Sequence, residues 1–206
     1  MAIISLPTAP DFRTSRFALV TNTQRFISPL NGAVQTRELP GARWSLSVTL
    51  PPMQRGQAAA WQAALAKLRG GANRFLAGDP DARTPRGVAT GTPLVNGAAQ
   101  TGGSLATDGW TASTTNILRA GDYISFTNGD ANAELHMVVE DANSNGSGEA
   151  TLAIEPPIRS APADNAALTV TSAVCEMALV DDDQAAWDAD QMSIYGISFS
   201  GVEVFT

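Results

Sequence analysis

Ala42-Arg-Trp-Ser-Leu-Ser-Val-Thr-Leu50 is followed, after Pro51-Pro52, by an alanine-rich run from Gln57 to Arg69, and these two stretches decide the fold. In the first, Trp44, Leu46, Val48 and Leu50 alternate with Arg43, Ser45, Ser47 and Thr49, the period of a strand with one buried face. In the second, Trp61, Ala64, Leu65 and Leu68 recur at helical spacing. Gly70-Gly71 stands where a left-handed C-cap is expected. A strand that must cover one face is thus followed by a helix with a matching apolar stripe. The predicted unit is a sheet with one helix packed on it.

The flanking segments extend the β reading. Arg16 to Ile27 and Val34 to Leu39 read as strands separated by the turn signal Pro29-Leu-Asn-Gly32, and Asn73 to Ala77 as another with Phe75 turned inward. Asp79-Pro80-Asp81, Thr84-Pro85-Arg86-Gly87 and Gly91-Thr92-Pro93 then crowd three turn signals together, which predicts a linker and a domain boundary near 84–93. Beyond it, Asn116 to Leu118, Tyr123 to Phe126, Leu135 to Glu140, Ala150 to Glu155 and Ala167 to Val170 are short strand candidates, the pattern of a small closed or half-closed barrel. Val174 to Val180 and Ile194 to Phe205 are two further strands, best used in returning to the first sheet. The expected fold is mainly β: a β-sandwich with one α-helix, residues 1–86 completed by 173–206, around an inserted small β-barrel domain at 87–172.

Composition narrows the function. With 44% apolar and 16% charged residues among 206, the chain is not of the disordered type. It contains no apolar run near the roughly 18 residues of a membrane span, and Met1 to Pro10 lacks the basic start of a signal peptide, so no membrane insertion is expected. One cysteine, Cys175, and one histidine, His136, rule out an internal disulfide and a Cys- or His-built metal centre. The expectation is a protein that is not an enzyme, with no catalytic residues, no cofactor and no metal. Charge is split along the chain. Residues 1–86 hold eleven basic and four acidic residues, net +7; residues 87–206 hold two and sixteen, net −14. The arginines are spread singly, without Lys/Arg runs or an interleaved aromatic stripe, so nucleic-acid binding is not expected.

Each chemical motif has a plainer reading. Asp141-Ala-Asn143-Ser-Asn145-Gly146 matches the first half of a calcium loop, but position twelve, which should be a bidentate Glu, is Leu152; a polar hairpin turn explains the same residues. Asp181-Asp182-Asp183 reads as a solvated loop rather than a paired-acid centre. His136 alternates with Leu135 and Met137, which predicts a strand-surface histidine with no triad beside it. Cys175 reads as a small buried hydrophobe. Gly97 to Gly103 is glycine-rich but lacks the Gly-Lys-Ser/Thr ending of a phosphate loop, and reads as a mobile or tight-turning connection. The four tryptophans, Trp44, Trp61, Trp110 and Trp187, read as packing anchors, with a sugar platform as the alternative for Trp110.

An ordered set of pieces is similar to a known family. These are Arg43 to Pro52, the Trp61 helix, Leu68-Arg-Gly70 with Phe75 and Gly78-Asp-Pro80, Gly121-Asp-Tyr-Ile, Leu135-His, Gly148-Glu-Ala-Thr-Leu, and Ile154-Glu-Pro-Pro-Ile-Arg159. Together, over roughly residues 12–200, they resemble distal or minor tail (baseplate hub) proteins of long-tailed bacteriophages and prophages. The resemblance implies a structural virion protein at the tail tip, assembled in the host cytoplasm. It implies a homo-oligomeric ring, commonly a hexamer, that joins the tail tube protein to hub and fibre proteins. It brings no catalytic residues. The alternative is a carbohydrate-binding or carbohydrate-cleaving tail module acting on the host envelope, although the short inserted segment leaves little room for such a site. A ring needs two different patches that meet from neighbour to neighbour. The charge split supplies them, with Arg16, Arg25, Arg37 and Arg55 expected on the basic side of the self-assembly interface.

Overall fold

Residues 1–205 are described in the computed structural model of the protein. The chain opens with β1 (Thr14–Val20), β2 (Thr23–Ile27), β3 (Val34–Glu38), β4 (Arg43–Thr49) and the two-residue β5 (Met53–Gln54). The helix α1 (Arg55–Leu68), a 3-10 turn at Gly70–Ala72 and β6 (Phe75–Ala77) follow. Next come β7 (Gly91–Val95), β8 (Gly102–Trp110), β9 (Tyr123–Thr127), β10 (Ala133–Val138) and β11 (Ala150–Ile158). The last elements are β12 (Cys175–Leu179), β13 (Asp188–Ala189), β14 (Ile194–Gly196) and β15 (Ser198–Glu203). The protein is mainly β, 41% strand against 8% helix.

The alternation at 43–49 does form a strand, and its apolar face is buried. Trp44, Leu46, Val48 and Leu50 pack with Trp61, Leu65 and Leu68 of α1 and with Phe75, Met177, Leu179 and Phe199 in one core. Full burial of each such side chain contributes about 1.5–3 kcal/mol. The sheet is antiparallel, in the order β1-β4-β15-β12-β6, so strands from residues 175–203 lie at the centre of a sheet begun by residues 14–49. A three-stranded sheet, β13-β14-β5, lies beside the start of the helix. The helix ends one residue before the glycines: Arg69 takes the left-handed conformation at φ 52°, its N–H donating to Ala66 O at 3.2 Å. Gly70 is also at positive φ, and a Cβ there would sit 2.1 Å from the Asp182 carboxylate.

The second sheet runs β7-β8-β11-β10-β9. Its two edges are both touched by the same later segment, Ala167 bridging to Leu94 and Thr169 to Ser125, which curls the sheet into a half-barrel. Leu105, Ile117, Leu118, Ile124, Phe126, Val138, Leu152 and Ile154 fill it. Two strands lie where strands were not expected. β7 occupies the end of the turn-rich stretch; its Pro93 is tolerated because β7 is an edge. β8 arises from the glycine-rich connection, whose turn is tied by the Gln100 side chain to the backbone of Asn96, Gly97 and Ala106. Conversely, Asn116 to Leu118 and Ala167 to Val170 contribute only isolated bridges.

The two sheets meet along β10 and β4. Trp44 Nε1 donates to Leu135 O at 2.9 Å, and Phe17 stacks on Trp44 (4.9 Å, 12°) while Tyr123 meets Trp44 edge-on at 5.5 Å. Burial and the neighbouring Asp79 push the Tyr123 phenol up to about 12. The incoming segment is pinned by Asp122, which is 3% exposed and accepts N–H bonds from Arg86 (2.7 Å), Gly87 (3.0 Å) and Arg119 (2.8 Å). Asp122→Ala leaves these donors without their acceptor and should cost about 3 kcal/mol, read as a lower urea midpoint at unchanged m-value.

Candidate functional site

β2 and β3 form a two-stranded ribbon that pairs with no other strand among the described residues, and all ten of its residues are exposed. Its tip is closed by Ser28 N–H on Ala33 O (2.8 Å) and Gly32 N–H on Ser28 O (3.0 Å), with Gly32 at φ +70°. Its base is held by Leu39 N–H on Asn22 O and by the Asn22 amide on Pro40 O. The ribbon is not polar. Phe26 is 61% exposed, Leu30 95%, and Ile27 and Val34, which face each other across the strands, about half. Apolar residues at a projecting turn are a surface that water disfavours and a partner would cover.

The four arginines expected on the basic side do not share one face. Arg25 pairs with Thr36 and Arg37 with Gln24, so register places them on opposite faces of the ribbon. Arg16 lies on β1 opposite Ser47, on the sheet face turned away from the core that Phe17 and Leu19 help to line. Arg55 begins α1, which packs on the other face. Arg25 and Arg37 are therefore the ones brought together with the apolar ribbon. On the acidic side, Asp181, Asp182, Asp183, Asp188 and Asp190 are exposed along one connection, with Trp187 half-exposed and Met192 82% exposed.

A second cluster lies buried at the joint of the sheets. Glu134 and His136 of β10 are fully buried, Glu203 of β15 is 1% exposed, and Arg159 follows β11. Arg159 forms an ion pair with Glu203 through Nη2, and its Nη1 donates to Ala42 O at 3.1 Å. The Phe205 ring lies 4.6 Å from the guanidinium. Glu203 Oε2 also accepts Trp44 N–H at 2.9 Å. Burial pushes the Glu203 carboxyl up, opposed by Arg159. His136 stacks on Phe126 (5.0 Å, 17°); burial pushes its imidazole down, and the adjoining Glu134 carboxylate and the Pro156 carbonyl pull it back up. An open cleft of about 640 Å³ borders the cluster, walled by Pro40, Pro156, Pro157 and Phe205.

The expectation of a surface His136 is corrected. Alternation assumes one solvated face, but β10 has none: Leu135 and Met137 face the first sheet's core, and His136 and Val138 face the half-barrel. Trp110 packs, as expected of it, 4% exposed with Nε1 donating to Thr107 Oγ1 at 2.8 Å, which removes the sugar-platform alternative, whereas Trp187, expected to pack, is 43% exposed. The residues of the calcium-like loop spend their oxygens on separate backbone donors. Asp141 takes Ala120 N–H, Asn143 takes Asn116 N–H, and Asn145 takes those of Ser147 and Glu149. Among the described residues no group of three or more His, Cys, Asp and Glu side chains could hold a metal. No helix among them is long and apolar enough to cross a membrane. Cys175 is buried, and burial and Glu203 raise its thiol.

Sequence reasoning missed the cluster of Glu134, Arg159 and Glu203 and the apolar ribbon. The one signal for the cluster is an acid set between apolar neighbours in Ala133-Glu-Leu-His-Met-Val138; for the ribbon it is Phe26, Ile27 and Leu30 around a turn. Fold and surface together define a mainly β protein with a projecting apolar ribbon and separated surface charges. No protein-family model matches the chain, and no curated protein matches it.

Proposed function

We propose that the protein is a structural component of a long-tailed bacteriophage virion, placed at the distal tail. There it assembles with copies of itself into a ring, a hexamer in the first instance, that joins the tail tube to hub and fibre proteins. The fold reading that goes with it is a β-sandwich, carrying the helix, with the half-barrel inserted as a small barrel domain. The function is mechanical and not catalytic. The observation that carries this reading is the β2–β3 ribbon, an isolated two-stranded element that exposes Phe26, Ile27, Leu30 and Val34. Such a ribbon is marginal in water by itself and gains its stability from a surface that packs on it. The ordered resemblance to tail proteins and the opposed charges of the ribbon and of the 181–190 connection support the same reading.

The test is the oligomeric state of the full chain by light scattering and electron microscopy, beside a Phe26→Asp/Leu30→Asp variant. Wild type should form closed rings, and the variant should remain monomeric with an unchanged thermal melt, because Phe26 and Leu30 are 61% and 95% exposed and belong to neither core. A wild type that stays monomeric at high concentration, or a variant that assembles equally well, would overturn the proposal. The rate of assembly should also fall as salt brings the Debye length below about 8 Å, while finished rings resist the same salt. A rate indifferent to salt would remove the electrostatic part.

A further inference from the structure

The buried cluster at the joint has one negative charge too many. Glu134 and Glu203 contribute two carboxylates, and Arg159 is the one guanidinium between them. Glu203 is fully engaged as an acceptor, by Arg159 and by Trp44 N–H. Glu134 Oε2 accepts the Asn128 amide at 2.9 Å, and Oε1 accepts Arg159 N–H at 2.8 Å. The remaining neighbours of Oε1 are His136 Nε2 at 3.5 Å and the side-chain Nε of Arg159 at 3.6 Å. On the other side of that ring, Nδ1 lies 2.6 Å from Pro156 O. A carbonyl can only accept, so Nδ1 carries a hydrogen. In neutral imidazole Nε2 would then turn a bare lone pair toward a carboxylate oxygen, and Nε2 has no hydrogen-bond partner otherwise. One proton between the two atoms removes the repulsion, supplies the missing bond and cancels the surplus charge.

We infer that Glu134, His136, Arg159 and Glu203 hold one proton in common at neutral pH, and that this proton fastens the half-barrel to the first sheet. The four groups come from β10, the end of β11 and β15, so the cluster spans the joint. Among the described residues their surroundings offer no substitute cation. On β12 the Cys175 thiol is buried, and Glu176 beside it is already paired with Arg74 at 2.7 Å. From β4, Arg43 reaches only the Phe205 ring, 5.9 Å away, and Glu38 and Asp130 line the outer cleft.

The sign of the pH dependence separates this arrangement from its rival. The unfolded chain binds no proton at these groups above about pH 7, since free carboxyls titrate near 4 and free imidazole near 6.5. If the folded cluster holds one proton, the unfolding constant rises about tenfold per pH unit between pH 7 and 8. Between pH 5 and 6 the unfolded histidine also holds a proton, and the contribution of the cluster is flat. If instead both carboxylates are ionised and His136 is neutral, the pattern inverts: flat above pH 7, and lost as pH falls through 6.5.

Urea unfolding of the full chain at half-unit steps from pH 5 to 8 reads the difference; the unfolded Cys175, with a free pKa near 8.5, is about a quarter ionised at pH 8 and adds a small slope that the Glu134→Gln control shares. Glu134→Gln balances the charge without a proton and should abolish the rest of the slope between pH 7 and 8. Proton uptake on refolding, followed with a pH indicator near pH 7.5, needs no variant and should give about one proton per chain for wild type. Loss of stability below pH 6.5 with none above 7, no uptake on refolding, or a full slope that persists in Glu134→Gln would overturn the inference.

Discussion

Removing residues 192–206 will unfold the first sheet while sparing the half-barrel. β15 is the central strand, hydrogen-bonded to β4 on one side and β12 on the other. Without it, β4 keeps only β1 and β12 keeps only β6, and two-stranded pieces of this kind do not stand alone in water. The core also loses Ile197 and Phe199, and Arg159 loses its carboxylate partner Glu203. The half-barrel keeps Leu105, Ile117, Leu118, Ile124 and Leu152, none of which the deletion touches. Tryptophan fluorescence distinguishes the two parts: Trp44 and Trp61 should report solvent from the outset, while Trp110 should stay buried until a separate melt. A truncated chain that keeps one cooperative transition with all three tryptophans buried would contradict the topology.

Arg159→Met should cost about 3–5 kcal/mol, because it removes the guanidinium of the buried cluster and leaves a carboxylate there uncompensated. Methionine restores the volume of the side-chain stem, so packing loss is a minor part. The charge origin has a signature. Carboxyls buried beside each other have folded pKa values above their free ones, and their penalty grows as pH rises from the free carboxyl range up to those raised values. The deficit relative to wild type should therefore be larger at pH 8 than at pH 5 in urea melts. An equal deficit at both values would make the residue a packing element only.

The alternation at 43–49 and the stripe on α1 were legible because each element has one buried and one solvated face, which is what periodicity reports. The same rule failed at β10, where both faces are covered, and His136 was placed at the surface for that reason. β8 was hidden by composition. Gly-Gly-Ser-Leu-Ala-Thr-Asp-Gly-Trp, residues 102–110, has few β-branched or aromatic residues, and it becomes a strand only because β7 and β11 pair with both its edges. The candidate site was legible only in part. Counting charges found the basic half but not where its arginines point, since Arg25 and Arg37 differ by register across the ribbon and not by anything in their local sequence. Glu134, Arg159 and Glu203 are far apart in the chain, and only the joint of the sheets brings them together.

The ribbon also bears on how the proposed neighbouring copy would be bound over time. With no side chain anchored in a core, the hydrogen bonds from Thr23–Glu38 to Ile27–Val34 can open without disturbing anything else, so their amides should exchange with solvent while those of β4 and β15 stay protected. Docking would then fix about ten residues that were only loosely held, at roughly 1 kcal/mol or more of backbone entropy each. Part of the attraction of the apolar tip is consumed in that ordering. Contacts made this way are individually weak and easily undone. The proposed closed ring, in which every ribbon would be held at once, would lock what a single pair of copies could not.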